Sequence, residues 1–496
     1  MNKQIILKNQ AQINILTTVL NQLVTTACGI VVPRLLIRAF GSEAYGISVS
    51  ITQFLAYISL LEGGIGGVAR GRLYGPLARG DEEQISAVYQ AIRRFFRGVA
   101  ITFLVYSVLL GLAYYDIAKV TLFSREYIFG LVMVIGVTTL ASYMGGLANL
   151  TLIVADQKQY INNLIYMLTT IGNTVIVALM VHYKWDLIWV KLGSSVVFLL
   201  RPLLYGIYVR RHFKLVRKIK QRVPLAQKWT GIGQHLAYFI HSNTDIVLLT
   251  VLSGPRPVAV YAVYNMVIKN IRNITEACVG GMESVFGQSI ARKQQSLLRQ
   301  QYRRYKTIIT AVTIVLFSCT GVLIIPFIKL YTRGITDANY IQPAFALVLL
   351  LAEAINCLCA PCASLPVAAG HLKQTRWGAY GEAIVNVVLS CLLIGWDPLL
   401  GVAVGTLAAT ILRGVYYSVY AARNLLDISV GKVLVVLFAS ICVMIAVIFA
   451  GGMVVQQLAI ENYISWVLCG AVTFVAICLP VLLAARMLSK RIAKAA

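Results

Sequence analysis

Apolar segments of bilayer length can be placed fourteen times along the chain, and they restrict it to one class of fold. A helix needs about 20 predominantly apolar residues to cross the hydrocarbon core of a membrane. A soluble chain of 496 residues that is 59% hydrophobic and 12% charged would have more apolar surface than it can bury. The sequence therefore predicts an all-α polytopic membrane protein with about 14 transmembrane helices. Their predicted centres are Ala27, Phe54, Tyr106, Ala141, Ile171, Phe198, Val247, Ile271, Leu316, Ala354, Val388, Ala408, Met444 and Val472.

The basic residues predict how these helices are oriented. The chain has 44 Lys and Arg against 18 Asp and Glu, and most of the basic residues fall in the connections on one side. Cytoplasmic connections are enriched in Lys and Arg, so both termini are expected in the cytoplasm and the protein in the cytoplasmic (inner or plasma) membrane. This topology accounts for the net charge of +26 without a nucleic-acid partner. A polar start followed by an apolar stretch of spanning length predicts no signal peptide.

Two distant stretches repeat one pattern of arginines and tyrosines. "LLRPLLYGIYVRR" places Arg201 and Tyr205 where "ILRGVYYSVYAAR" places Arg413 and Tyr417, and a Trp-Asp pair recurs before each stretch. Matching positions are offset by 210 to 216 residues, which predicts that spans 1–6 are duplicated as spans 7–12. Copies with an even number of spans are parallel and form two lobes around a central cavity.

The repeat sets the predicted boundaries. These are 1–213 for the first lobe, 214–230 for a basic cytoplasmic linker, 231–426 for the second lobe and 427–496 for two C-terminal helices.

Two segments resemble a known family of transporters. "VVPRLLIRAFGSEAYGISVSITQFLAYISLLEGGIG" and "SNTDIVLLTVLSGPRPVAVYAVYNMVI" are similar to the polysaccharide transporters, the O-antigen-flippase-like branch of the multidrug/oligosaccharidyl-lipid/polysaccharide (MOP) exporter superfamily. Spans 13 and 14 exceed the twelve-helix core, as in some relatives that include the lipid II flippases, and a Pro-Arg-Pro sequence stiffens the loop after the seventh span. The matching residues are Pro33, Gly41, Tyr45, Gly46, Gly64, Asp245, Gly254 and Tyr261.

The resemblance implies a function and partners. It implies two six-helix lobes whose cavity opens alternately to either side, with a polyprenyl-pyrophosphate-linked glycan as cargo. Membrane lipids are also expected partners. Whether polysaccharide assembly proteins bind as well stays open.

Five cations fall inside the predicted spans. A charge at the bilayer centre costs about 2.5–3.5 kcal/mol, so these residues are expected to face water, protein or a bound anion. A guanidinium holds a phosphate with two parallel hydrogen bonds, which predicts that each lobe contributes one arginine to an anion site. Snorkelling to the interface is the alternative for Arg201 and Arg413. The predicted cargo-binding residues are Arg201, Arg413, Lys269, Arg272, Lys191 and Asn265.

Carboxylates inside the spans are candidates for ion coupling, because a buried carboxylate can carry a proton or, with other oxygens, hold Na⁺. His241 precedes Asp245 by one turn, so the two are either a proton-linked pair or a structural hydrogen-bonded pair. In the eighth span, Arg272 and Glu276 either neutralise each other or line a polar cavity wall. The choice between H⁺, Na⁺ and no coupling stays open. The candidates are Asp245, His241, Glu62, Glu276, Glu353 and Glu382.

Span 10 contains both a C-x-x-C sequence and two prolines. Cys359 and Cys362 lie in an apolar span without a surrounding soluble fold, so no metal or cofactor is expected there. Pro361 and Pro366 interrupt helical hydrogen bonding and predict a hinge or an unwound turn.

The remaining sequence narrows the function to three classes. The chain has no G-x4-G-K-[S/T], no nucleophile elbow, no H-E-x-x-H and no long outer loop, so an enzyme is not expected. The first class is a flippase for a lipid-linked oligosaccharide, acting by alternating access. The first alternative is a cation-coupled multidrug exporter, but a cavity for cationic drugs should contain few cations, and five fall within the spans. The second alternative is a membrane polysaccharide polymerase or glycosyltransferase.

Overall fold

The computed structural model describes residues 3–62, 65–216, 232–277, 281–458 and 460–494. These residues form helices and short connections, with no β-strand among them. Each of the fourteen predicted centres lies in a helix. Ten helices of the described part are long and apolar enough to cross a membrane. The prediction of an all-α polytopic membrane protein is therefore confirmed.

The described helices divide into two compact units. The first consists of residues 1–235 with 254–259, and the second of residues 236–253 with 260–496. The helices of the first unit are α1 (Lys3–Ala56, continued by a 3₁₀ segment Tyr57–Glu62), α2 (Ile65–Arg79), α3 (Glu82–Ile117), α4 (Arg125–Ala141), a π-helical turn (Ser142–Gly146), α5 (Leu147–Ala155), α6 (Gln159–His182) and α7 (Leu187–His212).

The remaining helices belong mainly to the second unit, but the first two of them begin in the first unit, with residues 232–235 and 255–259. They are α8 (Ile232–Ser253), α9 (Pro255–Ala277), α10 (Met282–Ala291), α11 (Gln295–Tyr331), α12 (Pro343–Ala368), α13 (Leu372–Leu393), α14 (Pro398–Ala421), a second π-helical turn (Ala422–Leu426), α15 (Val430–Gln456) and α16 (Tyr463–Lys494). The predicted linker, 214–230, lies mostly outside the described residues. Its described start contacts α3, where the Gln90 Nε2 donates to the Val216 carbonyl at 2.9 Å.

The first two predicted spans are the two parts of α1, which are separated at Gly41. This glycine has φ 83° and ψ 169°, a conformation that a residue with a Cβ atom rarely adopts. The part after Gly41 runs antiparallel to α3. The Tyr114 hydroxyl donates to the Ile47 carbonyl at 3.4 Å, and the Tyr106 hydroxyl donates to the Phe54 carbonyl at 2.7 Å.

The repeated Trp-Asp pairs mark the starts of α7 and α14. Asp186 is the N-cap residue of α7 and accepts a hydrogen bond of 2.6 Å from the Tyr127 hydroxyl. Asp397 is the N-cap of α14, and its carboxylate accepts from the Leu400 backbone N–H at 2.8 Å. A carboxylate at either N-cap lies near the positive end of the helix dipole. The Asp397 carboxylate also accepts from a backbone N–H of its own helix, whereas the Asp186 carboxylate makes no such capping bond. The two Trp-Asp pairs thus share a position at a helix start but not the same hydrogen bonding.

Close helix packing in the second unit depends on a glycine. An added Cβ atom at Gly405 of α14 would lie 2.2 Å from the Ser390 Oγ, 2.9 Å from the Ser390 N and 3.0 Å from the Asn386 O of α13. Two of these atoms belong to the backbone and cannot rotate away. Small residues allow this approach between membrane helices, whose association depends on packing and polar contacts.

We expect Gly405→Ala to destabilise the protein by about 1–3 kcal/mol, because the added methyl group overpacks the contact between α13 and α14. Gly395→Ala is the matched control, because an added Cβ there meets nothing within 4 Å. Thermal unfolding of both variants in detergent measures the difference. Equal melting temperatures for the two variants would contradict this account of the packing.

Candidate functional site

Arg201 lies deep in α7, among neutral partners. It is fourteen residues from the start of the helix and eleven from its end, or about 21 Å and about 16 Å at the usual rise. Its Nε donates to the Thr169 Oγ1 at 2.7 Å and its Nη2 to the Thr170 Oγ1 at 3.1 Å, both on α6. The guanidinium carbon lies 3.8 Å from the centre of the Tyr166 ring and 4.3 Å from that of Phe198. Hydroxyls and rings therefore hold this side chain, and among the described residues it forms no ion pair with a carboxylate.

Arg413 occupies the matching position of α14 but has an acidic partner. Its Nη1 lies 3.2 Å from both carboxylate oxygens of Glu382, which is on α13. The Glu382 side chain is 1% exposed and that of Arg413 is 24% exposed. A buried carboxylate beside a guanidinium forms a charge-assisted pair, so the positive charge of Arg413 is balanced within the second unit.

The same offset relates the partners of the two arginines. Adding 212 to Arg201 gives Arg413, and adding 212 to Thr170 gives Glu382. In each unit, the arginine donates to this matched position on the preceding long helix. The first copy has a neutral hydroxyl there and the second has a carboxylate. Sequence comparison matched the arginines, but it did not identify their partners because threonine and glutamate share no chemistry.

Arg272 connects two helices of the second unit. Its Nε donates to Glu276 Oε1 at 2.7 Å, one turn along α9, and its Nη1 donates to Glu353 Oε2 at 3.0 Å, on α12. The side chains of Arg272 and Glu353 are 12% and 14% exposed. The intrahelical pair expected as one alternative is therefore present. Asn265 is half-buried and Lys269 is exposed.

Asp245 is at the centre of a buried polar cluster, which we call the Asp245 cluster. Its carboxylate accepts from the Tyr261 hydroxyl at 2.8 Å and from the Thr406 Oγ1 at 3.0 Å. Thr406 in turn accepts from the Asn386 Nδ2 at 3.0 Å. Asn386 is fully buried, and its Oδ1 has no hydrogen-bond partner in the described part of the chain. The side chain of His241, the predicted partner of Asp245, lies outside the described residues.

Sequence reasoning missed Thr406 and Asn386 because uncharged residues in apolar spans give no signal by themselves. Their importance follows only from their contact with a carboxylate. Buried polar side chains without partners cost free energy, and the unpaired Oδ1 of Asn386 is an acceptor that a cation can satisfy. The Asp245 carboxylate is the group of this cluster that can take up a proton.

The other residues predicted for cargo binding, ion coupling or a hinge lie outside the arginine contacts and the Asp245 cluster. Glu62, at the end of the 3₁₀ segment, accepts a short hydrogen bond from the Tyr143 hydroxyl. Lys191 lines a pocket inside the first unit. Helix α12 continues through Pro361 and Pro366, so the predicted unwound turn does not occur and the hinge stays a prediction.

A further buried cation went unrecognised in the sequence. Lys306 of α11 is 9% exposed, and its Nζ donates to the Leu358 carbonyl of α12 at 2.9 Å. It follows the basic sequence "RQQYRR", so it appeared to belong to the polar connection. Only the packing of α11 on α12 reveals that it is inside the helix bundle.

Comparison with known proteins identifies the fold. No protein-family model matches the sequence, and no curated protein sequence matches it. The lipid II flippase MurJ, in an inward closed conformation, matches with a TM-score of 0.70 and 12% identity over 93% of this chain and 98% of that chain. An inward-facing multidrug resistance MATE family transporter of the MOP superfamily matches with a TM-score of 0.61 and 13% identity, covering 81% and 95% of the two chains.

A third similar structure is a ligand complex of the MATE multidrug transporter DinF-BH. It matches with a TM-score of 0.57 and 17% identity, over 84% of this chain and 95% of that chain. The chain therefore has the fold that these solved transporters share.

We expect Arg413→Met to destabilise the protein by about 3–5 kcal/mol, because it removes the guanidinium that faces buried Glu382. Adding Glu382→Leu should recover most of this loss, since apolar groups replace both charges. Thr170→Val, which removes one hydroxyl from Arg201 at the matched position, should cost only about 1 kcal/mol. Thermal unfolding of the native protein and these three variants tests this order. A double variant as unstable as Arg413→Met would contradict the pairing.

Proposed function

We propose that the protein is a flippase that moves a polyprenyl-pyrophosphate-linked oligosaccharide, a polysaccharide repeat unit, across the cytoplasmic membrane by alternating access. The observation that most supports it is Arg201, an intramembrane guanidinium bonded to two hydroxyls rather than to a carboxylate. A polyprenyl-pyrophosphate carries its negative charge at the membrane surface and its tail in lipid. Its passage requires a cation at membrane depth.

Arg201 is suited to bind this pyrophosphate. Its bonds to threonine use Nε and Nη2, and a guanidinium has five donor hydrogens in all, so donors remain for an anion. The rings of Tyr166 and Phe198 restrict its rotamers and favour the planar cation. A planar, pre-oriented fork binds a phosphate with two parallel hydrogen bonds and loses little entropy.

Arg413 is the second proposed cargo-binding arginine, and its ion pair with Glu382 controls whether it is available. While Glu382 is ionised, it competes with the cargo for this guanidinium. The pyrophosphate therefore binds Arg413 only in states in which this ion pair opens. Lys269, Arg272, Lys191 and Asn265 are further candidates for the cargo path, with Arg272 already balanced by Glu276 and Glu353.

The Asp245 cluster is the proposed site of the coupling ion. Buried Asp245 and Thr406 supply oxygens for Na⁺, or Asp245 carries a proton. Movement of one charge across ~100 mV supplies about 2.3 kcal/mol, enough to drive accumulation of cargo about fiftyfold. Both termini lie in the cytoplasm in this mechanism, and the pyrophosphate-bearing end of the cargo enters from that side. Polysaccharide assembly proteins would receive the cargo outside.

A cation-coupled multidrug exporter is the second candidate, because MATE transporters share the fold. Export of cationic drugs requires acids that are available to the drug. Here Glu276, Glu353 and Glu382 face arginines. The charge arrangement therefore favours an anionic cargo. A polymerase or glycosyltransferase has no support from the structural neighbours named above, which are transporters.

We expect Arg201→Met to lower the transport rate about 10- to 100-fold, as the loss of a charge-assisted hydrogen bond of about 1.5–3 kcal/mol predicts. The assay uses spheroplasts of a strain that lacks the gene and expresses each variant. Polyprenyl-linked saccharide is quantified by mass spectrometry before and after an impermeant glycosidase. Cargo that accumulates and is protected from the enzyme is stranded inside.

The matched control is Arg211→Met, which removes an exposed arginine from the end of the same helix and should restore transport. Accumulated cargo that the glycosidase digests in the deletion strain would instead point to a polymerase or another later step. If no polyprenyl-linked saccharide accumulates in that strain, the multidrug exporter becomes the favoured function.

We expect Asp245→Asn to abolish the response of transport to an ion gradient. Full-length protein in proteoliposomes would be supplied with a labelled lipid-linked oligosaccharide under an imposed Na⁺ or pH gradient. If Na⁺ is bound, Thr406→Val should also reduce the response; if a proton is carried, Thr406→Val should be tolerated. Ser440→Ala, which removes a hydroxyl bonded within α15, is the control. An unchanged gradient response in Asp245→Asn would exclude this cluster as the coupling site.

A further inference from the structure

A pocket of about 270 Å³ lies inside the first unit. Residues of both parts of α1 and of α4, α6 and α7 line it. None of these lining residues is acidic, and Lys191 is the one cation among them. The lining residues are Val32, Leu36, Thr52, Ile135, Thr138, Asn173, Val177, Val190, Lys191, Ser194, Ser195 and Phe198.

Lys191 brings an unbalanced charge to this pocket. Within the part of the chain that the structure describes, its ammonium group makes no hydrogen bond and no ion pair. Lys191 is half-buried, and a cation that is partly removed from water is stabilised by an opposite charge. The lining residues supply no carboxylate, so a bound anion would supply this charge.

Two neutral side chains of the pocket also lack partners. Asn173 is 8% exposed, and its Oδ1 makes no hydrogen bond to the described residues, so no bond of this oxygen prevents the amide from turning its NH2 group toward an anion. Neither its amide nitrogen nor the Ser194 hydroxyl donates to any described residue. The other hydroxyls of the pocket differ, because Thr52, Thr138 and Ser195 donate to backbone carbonyls. Three groups that can donate to an anion thus line one pocket: the ammonium, one amide and one hydroxyl.

The size of the pocket limits the ligand to a small ion or molecule. Sites for drug-sized molecules measure about 300–1,000 Å³, so a glycan headgroup is too large for this one. A water molecule occupies about 30 Å³ of liquid, so a monatomic anion fits with several waters. We propose that the Lys191 pocket binds a small inorganic anion of the halide class, with Lys191, Asn173 and Ser194 as its donors.

The second unit has a different arrangement at the matched positions. The offset of 212 that relates Arg201 to Arg413 relates Lys191 to Ala403 and Ser194 to Thr406. The lysine is therefore absent from the second copy, where Thr406 donates to Asp245 instead. The first copy thus has a half-buried cation beside a hydroxyl, and the second has a buried carboxylate beside a hydroxyl. The charges at these positions are opposite, which suits the two units to ions of opposite charge.

The test measures halide binding to the purified full-length protein, without cargo or transport. Thermal unfolding is followed in sodium gluconate, chloride and bromide at constant sodium concentration and ionic strength. A ligand that binds only the folded state raises the melting temperature in a saturable way. We expect such a rise with chloride and bromide in the native protein and its loss in Lys191→Met. Lys184→Met, which removes an exposed lysine just before α7, should keep the rise.

A second measurement locates the ion directly. Radioactive chloride should bind with one saturable site per chain, and bromide should give an anomalous scattering peak beside Lys191 in crystals of the native protein. If Lys191→Met does not fold, Lys191→Gln and the native bromide peak still decide the question. Equal stability in gluconate and chloride together with no bound chloride, or a halide effect that persists in Lys191→Met, would overturn the proposal. These readouts are independent of the proposed transport activity.

Discussion

The low dielectric of the membrane interior is the constraint on which this structure depends. A charge that cannot reach water must find its partner on a neighbouring helix, and each such contact fixes how two helices pack. Arg272 joins α9 to α12 through Glu353, and Arg413 joins α14 to α13 through Glu382. Asp245 joins α8 to α14 through Thr406. The polar contacts thus determine the register of helices whose apolar surfaces have little preference for one another.

The matched arginines show how one geometry can have two electrostatic outcomes. Each arginine donates to the corresponding position of the preceding long helix, which is Thr170 in one unit and Glu382 in the other. A neutral hydroxyl does not compensate for the positive charge of the guanidinium, whereas a carboxylate does. The same contrast appears at Ser194 and Thr406, beside a lysine in the first unit and near an aspartate in the second. The two units therefore share the position of the arginine and of its partner but differ in the charge of that partner.

Glycine and proline residues affect these helices in ways that the spacing of apolar residues does not predict. Gly41 divides α1 because it adopts a positive φ, and Gly405 permits the backbone contact between α13 and α14. Helix α12 contains two prolines without an unwound turn, although these residues predicted a hinge or an unwound turn. Neighbouring helices and polar side chains can compensate for the hydrogen bonds that proline removes in a membrane helix.

The sequence by itself determined the class of fold, the positions of the fourteen helical segments and the placement of arginines at matched depths, because these follow from segment length, apolarity and spacing. It also identified Arg272–Glu276 as a possible pair, since that contact is local to one helix. Only the tertiary structure decided that Glu382 balances Arg413, that Lys306 is buried and that Asn173 shares a pocket with Lys191. Each of these contacts joins residues of different helices, and the packing that brings them together depends on shape complementarity over the whole helix surface rather than on any local pattern.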